Sequence, residues 1–163
     1  MHEPPEPPEP PGPPEPREPR EPQEPPLIMV DAANVMGSVP DGWWRDRRAA
    51  VLRLRDALAG LCDEGLAPGP PDWARRPPLE VVLVVEGKAR GIESSETVRV
   101  VSAPGVGDDT IVEVVQRAGA RRRCLVITAD RELRARVAAL GAEVAGPGVL
   151  LDRRRHASGG DAG

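Results

Sequence analysis

At 163 residues the chain has room for one domain. Its formal net charge of −4 is segregated: the first 26 residues hold seven Glu and two Arg and leave the remainder near +1. Charge therefore argues neither for nor against a polyanionic partner. No apolar h-region marks a signal peptide, and the longest purely aliphatic run, Val81 to Val85, is far too short to span a bilayer.

Residues 1–26 are almost wholly Pro and Glu, with Arg17 and Arg20. Such a stretch cannot offset its ordering entropy by apolar burial, which predicts a disordered, solvated tail biased to polyproline II. Leu27 to Asp31 is a continuous apolar run ending in an acid, as a strand covered on both faces reads. A Gly/Pro-rich passage follows, then a helix from about Arg45 to Leu61 whose core face is Val51, Leu54, Leu58 and Leu61. Residues 65–78 read as a Pro-rich loop. Leu79 to Glu86 is a second buried strand, 87–96 a polar loop, and Val98 to Ser102 a third strand. A second helix opens over Gly107 to Thr110 and turns Ile111, Val115 and Ala118 inward. Cys124 to Asp130 is a fourth strand, again ending in an acid. A third helix turns Leu133, Val137 and Leu140 inward, and Glu143 to Ala145 forms a short fifth strand. Residues 152–163 are a flexible C-terminal tail.

Strands alternating with helices imply an α/β fold, a three-layer sandwich around a parallel sheet. Cys62 and Cys124 fall inside these elements and read as buried free thiols, which fits a reducing, cytoplasmic location.

In an open parallel sheet, ligands bind beyond the C-terminal ends of the strands. Acids occupy that end of three strands here, at Asp31, Glu86 and Asp130, and Asp108 and Asp109 begin the helix after the third. Each acid also has an ordinary reading. Asp108 and Asp130 suit helix caps, Asp109 suits the helix dipole, and Glu86 suits a solvated strand end. Asp31 is harder to dismiss, because it directly follows a core strand and begins no obvious helix. Together, several crowded carboxylates repel unless a cation neutralises them. Oxygen donors without nearby His or Cys suit Mg²⁺ or Mn²⁺, and such a site can orient water for an in-line phosphodiester displacement.

Other chemistries lack their parts. The only histidines, His2 and His156, stand in the tails, so a Ser or Cys nucleophile has no base. No Cys/His spacing makes a zinc site. Pro104 to Gly107 lacks both the third Gly of a dinucleotide fingerprint and the Gly-Lys-Ser/Thr of a P-loop.

Four segments in this order carry a family resemblance: Val30-Asp31-Ala-Ala-Asn34-Val35; a strand ending Val-Val-Glu86-Gly; Gly107-Asp-Asp109-Thr-Ile-Val-Glu113; and Thr128-Ala-Asp130-Arg-Glu-Leu133. They resemble the successive motifs of the NYN (YacP-like) branch of the PIN-like ribonucleases, across residues 27–151. The resemblance implies a parallel sheet of order 3-2-1-4-5 and a metal-dependent ribonuclease. Its first-strand Asp falls on Asp31 and its nearby Asn on Asn34. The acid opening the later helix matches Asp109, with Glu113 one turn on, and the acid after the fourth strand falls on Asp130. Asp108 stands where the branch often has a small residue, and Glu86 where it commonly has Asp.

On this reading Asp31, Asp109 and Asp130 hold Mg²⁺ or Mn²⁺, and Asn34 positions Asp31 or the phosphate. Asp108, Glu86 and Glu113 are further metal candidates. Trp43 and Trp44 are candidates to stack on bases of single-stranded RNA, or to pack under the helix start; Arg45, Arg47 and Arg48 are candidates for phosphate contacts. The Arg121 to Arg123 run and Arg153 to Arg155 read as solvated. A catalytically silent PIN-like module binding RNA or protein, and a small-nucleotide phosphohydrolase, are the alternatives. No membrane partner is expected, and the sequence leaves the oligomeric state open.

Overall fold

The computed structural model describes residues 25–38, 42–66, 71–87, 91–118 and 122–150. Of the tails expected over 1–26 and 152–163, residues 1–24 and 152–163 lie outside the described residues, as do Arg121 and Arg153 to Arg155.

Five strands form one parallel sheet: β1 (Leu27–Asp31), β2 (Glu80–Val85), β3 (Arg99–Ser102), β4 (Cys124–Ile127) and β5 (Glu143–Ala145). Their order is β3-β2-β1-β4-β5, as the resemblance implies. Every residue of β1 and β4 is buried, because helices cover both faces. Side chains alternate between the faces. Ile28, Val30, Val81, Leu83, Val85, Leu125 and Ile127 join one core cluster. Leu27, Met29, Val82, Val84, Cys124 and Val126 join the other.

The first cluster packs against α1 (Ala32–Gly37), α2 (Arg47–Ala57) and α3 (Leu61–Glu64). The second packs against α4 (Gly107–Ala118) and α5 (Arg131–Ala138). Among the described residues no helix is long and apolar enough to cross a membrane.

Several boundaries differ from expectation. The expected helix over 45–61 is three pieces: a 3₁₀ turn at Trp43–Arg45, then α2 capped by Asp46, then α3. Its core face holds, since Val51, Leu54, Leu58 and Leu61 are all buried. The Pro-rich loop contains a 3₁₀ turn at Asp72–Arg75. The fourth strand stops at Ile127, and Thr128 to Asp130 form the turn into α5. Leu140 does not turn inward; it is 38% exposed, because α5 ends at Ala138 and Leu140 falls in the turn to Gly141. Cys124 is a buried thiol, whereas Cys62 is only half-buried.

Two corrections concern the rim where strands begin. Arg122, expected in a solvated turn, is 11% exposed and pairs with Glu80 at the start of β2. Its Nε also donates to Pro25 O (2.7 Å), and Glu80 N–H donates to Pro26 O (2.9 Å). Pro25 and Pro26 are thereby tied to the sheet rather than belonging to a solvated tail.

Candidate carboxylate site at the sheet edge

The sheet order has its topological switch between β1 and β4, the crevice where open α/β sheets bind ligands. Strand register decides which side chains meet there. Val30 pairs with Ile127, so Thr128 stands beside Asp31; Asp31 pairs with Val84, two residues before Glu86. By alternation Asp31, Glu86 and Thr128 share the face of Met29, Val84 and Val126, the side covered by α4 and α5. Both helices begin at this rim.

Asp31 is 5% exposed and has fixed partners. The Thr128 hydroxyl donates to Oδ2 (3.0 Å), and Asn34 N–H donates to Oδ1 (3.3 Å). The second bond caps α1, so Asp31 does begin a helix, a six-residue one that helical periodicity is too short to reveal. Burial pushes the Asp31 carboxyl up to about 6, opposed by these two hydrogen bonds and reinforced by repulsion from Asp108 and Glu86.

Thr128 is fully buried and also accepts from Asp130 N–H (3.1 Å). Asn34 Oδ1 accepts from Ala129 N–H (2.8 Å), which braces α1 to the turn after β4. Asp130 caps α5 through Leu133 N–H (3.1 Å). Glu86 Oε2 accepts from Gly107 N–H (3.1 Å) at the start of α4.

Asp108 and Asp109 both lie in the first turn of α4, but they part ways. Burial raises the Asp108 pKa, with further repulsion from Asp130 and Glu86 and an opposing pull from Arg136. Asp109 instead is 69% exposed and pairs with Arg136 (3.2 Å). One helical residue is a rotation of roughly 100°, so only one of two adjacent acids can face the crevice. Asp108 is the one brought among the strand-end acids, and Asp109, expected there, is not. Glu113, one turn beyond Asp109, is exposed on α4. Asp31, Glu86, Asp108 and Asp130 thus sense one another electrostatically. Among the described residues, however, no three His, Cys, Asp or Glu side chains form a ready metal cage.

The two tryptophans also divide. Trp43 is half-buried against the first core cluster, while Trp44 is 51% exposed. Their rings meet edge to face at 6.1 Å, with Arg45 over Trp44 (5.8 Å) and Arg47 over Trp43 (5.6 Å). Arg45, Arg47 and Arg48 are exposed. A separate groove of about 420 Å³, lined by Cys62, Leu79, Glu80 and Arg99 among others, includes none of these acids. Thr128 and Arg136 received no role from sequence alone. For Thr128 the signal was available, since it lies two residues beyond Val126 and so shares its face.

The fold is that of Rae1 (YacP) from Bacillus subtilis. One crystal structure, of a single-substitution mutant, superposes with a TM-score of 0.57 at 17% identity, covering 82% of this chain and 77% of that one. Another superposes at 0.55 and 18%, covering 81% and 75%. The sequence matches no family model and no curated protein.

Proposed function

We propose that the chain is a divalent-metal-dependent ribonuclease of the NYN (YacP-like), PIN-like kind, hydrolysing phosphodiester bonds of single-stranded RNA in the cytoplasm. The observation that supports this reading is the meeting of Asp31, Glu86, Asp108 and Asp130 at the switch point of a sheet with the Rae1 fold. Four like charges around one crevice are unfavourable unless a cation joins them. The donors are oxygens alone, which suits Mg²⁺ or Mn²⁺. Without a ready cage, the fit is to a hydrated ion that keeps several waters and takes one or two carboxylates directly. Asp31, Asp108 and Asp130 would hold it between them, one or two directly and the rest through its waters, with Glu86 at the margin. Such an ion, when bound, supplies a nucleophilic water and stabilises charge on the phosphate.

The chain's own groups do the rest. The Thr128 hydroxyl and the Asn34 backbone N–H fix the Asp31 carboxylate from two sides. Asn34 in turn keeps the turn before Asp130 in place through Ala129. Trp44 offers an exposed face to a base, and Arg45 and Arg48 offer charge to the sugar–phosphate chain. The free thiols Cys62 and Cys124 suit a reducing compartment.

One observation favours a second reading, a catalytically silent RNA-binding module. Glu86 replaces the commoner Asp, and one of its oxygens is already engaged by the start of α4. Incubating the full chain with mixed single-stranded RNA and Mn²⁺, beside Asp31→Asn, separates the two. Cleavage by wild type and its loss in the variant is expected. RNA bound but uncut by both would support the module, and neither binding nor cleavage would end both readings.

A further inference from the structure

A phosphate approaching four carboxylates is repelled by all of them, so the crevice needs a cation of its own at the edge. Arg136 is placed to be that cation. It sits in the last turn of α5, whose cap Asp130 belongs to the acid group. Helical side chains lean toward the helix N-terminus, so the long Arg136 side chain leads back toward the rim. Its Nη2 lies 3.2 Å from Asp109 Oδ1, and the two side chains are 40% and 69% exposed. Its charge also reaches Asp108, the acid of α4 that faces the crevice.

An exposed ion pair of this kind contributes little to stability. Exchanging Asp109 for another anion therefore costs little. The contact uses one of the guanidinium's five N–H donors, and the planar fork matches a phosphate's oxygens in pairs. We propose that Arg136 is a phosphate-binding residue of this site, held on Asp109 until an RNA phosphodiester takes its place beside the carboxylates. The inference rests on the ribonuclease reading for its ligand, but its test does not need turnover.

The test measures binding of a fluorescein-labelled single-stranded RNA decamer to the full chain by anisotropy across a salt series. An Asp31→Asn background prevents cleavage, and kinetics of the otherwise wild-type chain run alongside. Arg136→Gln should weaken binding about ten-fold, the weight of one charge-assisted contact. It should also flatten the logarithmic salt slope by about 0.7, as for one phosphate on a single strand. In cleavage, KM should rise while kcat changes much less. Arg136→Lys should keep the salt slope and recover only part of the affinity, since an ammonium lacks the fork. Asp109→Asn should bind as tightly as its parent or more tightly, because it releases the guanidinium. Unchanged affinity and slope in Arg136→Gln would overturn the inference while leaving the nuclease reading intact. So would a loss in Asp109→Asn equal to that in Arg136→Gln, which would assign the effect to the ion pair itself. A parent chain that binds no RNA overturns both.

Discussion

At the scale of single residues, Asp31 has the most measurable consequence. Its carboxyl titrates near 6 in the folded chain against an ordinary 3.8, chiefly because it is buried. Between those values the folded state binds a proton that the unfolded state has released. Stability therefore falls as pH rises from about 4 to about 6, then levels off. The gap of roughly two units corresponds to at most ~3 kcal/mol. Asp31→Asn cannot titrate; its one amide oxygen can still accept from Asn34 N–H, while its NH2 donates to the Thr128 oxygen, whose hydroxyl turns away. Urea unfolding at pH 4.5 and 7.5 should show the wild type losing stability relative to the variant as pH rises. In metal-free buffer at pH 7.5 the variant should be the more stable protein. Parallel pH profiles for the two would show that Asp31 is neither buried nor crowded as described. Asp108 shifts the same way, for burial first and repulsion second, so part of the wild-type slope persists in the variant.

At the scale of elements, two glycines make opposed predictions. Gly65 ends α3 at φ 80 and ψ 166, a region that only glycine occupies readily, and a Cβ there would lie 2.4 Å from Arg75 O. Gly65→Ala should destabilise by more than ~2 kcal/mol, because strain and a backbone clash act together and the adjoining bond from Leu66 N–H to Ala74 O (2.7 Å) is pulled apart. Gly107 has ordinary φ, and a Cβ there would crowd the Glu86 carboxylate, at 2.8 Å, with Val84 Cγ1 at an ordinary contact distance of 3.8 Å. The flexible Glu86 side chain can swing away, so Gly107→Ala should cost less than ~1 kcal/mol. Paired melting curves check both, and equal losses would refute the contrast. Legibility in the sequence followed the same division. The strands were readable because continuous aliphatic runs have few other solutions, and Asp130 was readable as a cap by type and position. Helix α1 was missed because six residues carry no periodicity; Val35 and Met36 make it by packing on the core. Arg122 was misread because its partner Glu80 is 42 residues away, a distance no local pattern spans. Asp109 was preferred to Asp108 through the resemblance alone, although α4 begins at Gly107 as expected and Asp108, three residues before Ile111, shares its inward face.

At the scale of the whole molecule, the crevice is a cost that the fold carries without its proposed ion. The sheet brings Asp31 from β1 and Asp130 from the turn after β4, while Glu86 and Asp108 arrive from β2 and α4. Packing of two hydrophobic layers holds these acids together against their mutual repulsion. A ligand that binds only the folded state stabilises it by mass action, by about 1.4 kcal/mol at ten times its Kd. For a domain of this size that is a rise of about 4 °C. Wild type should therefore melt several degrees higher in Mn²⁺ at pH 7.5, where Asp31 is ionised. At pH 5 the gain should shrink, because the ion must then displace a proton from Asp31. Asp31→Asn should begin from a higher metal-free midpoint and gain much less, since one crowded charge and one ligand have gone together. Asp109→Asn is the informative control, because its carboxylate points to Arg136 rather than into the crevice. It should keep the full Mn²⁺ response, whereas Asp108→Asn should lose most of it. If neither wild type nor these variants respond to Mn²⁺, the acids are caps and solvated strand ends. The crevice would then have to be read as an RNA-binding edge without chemistry.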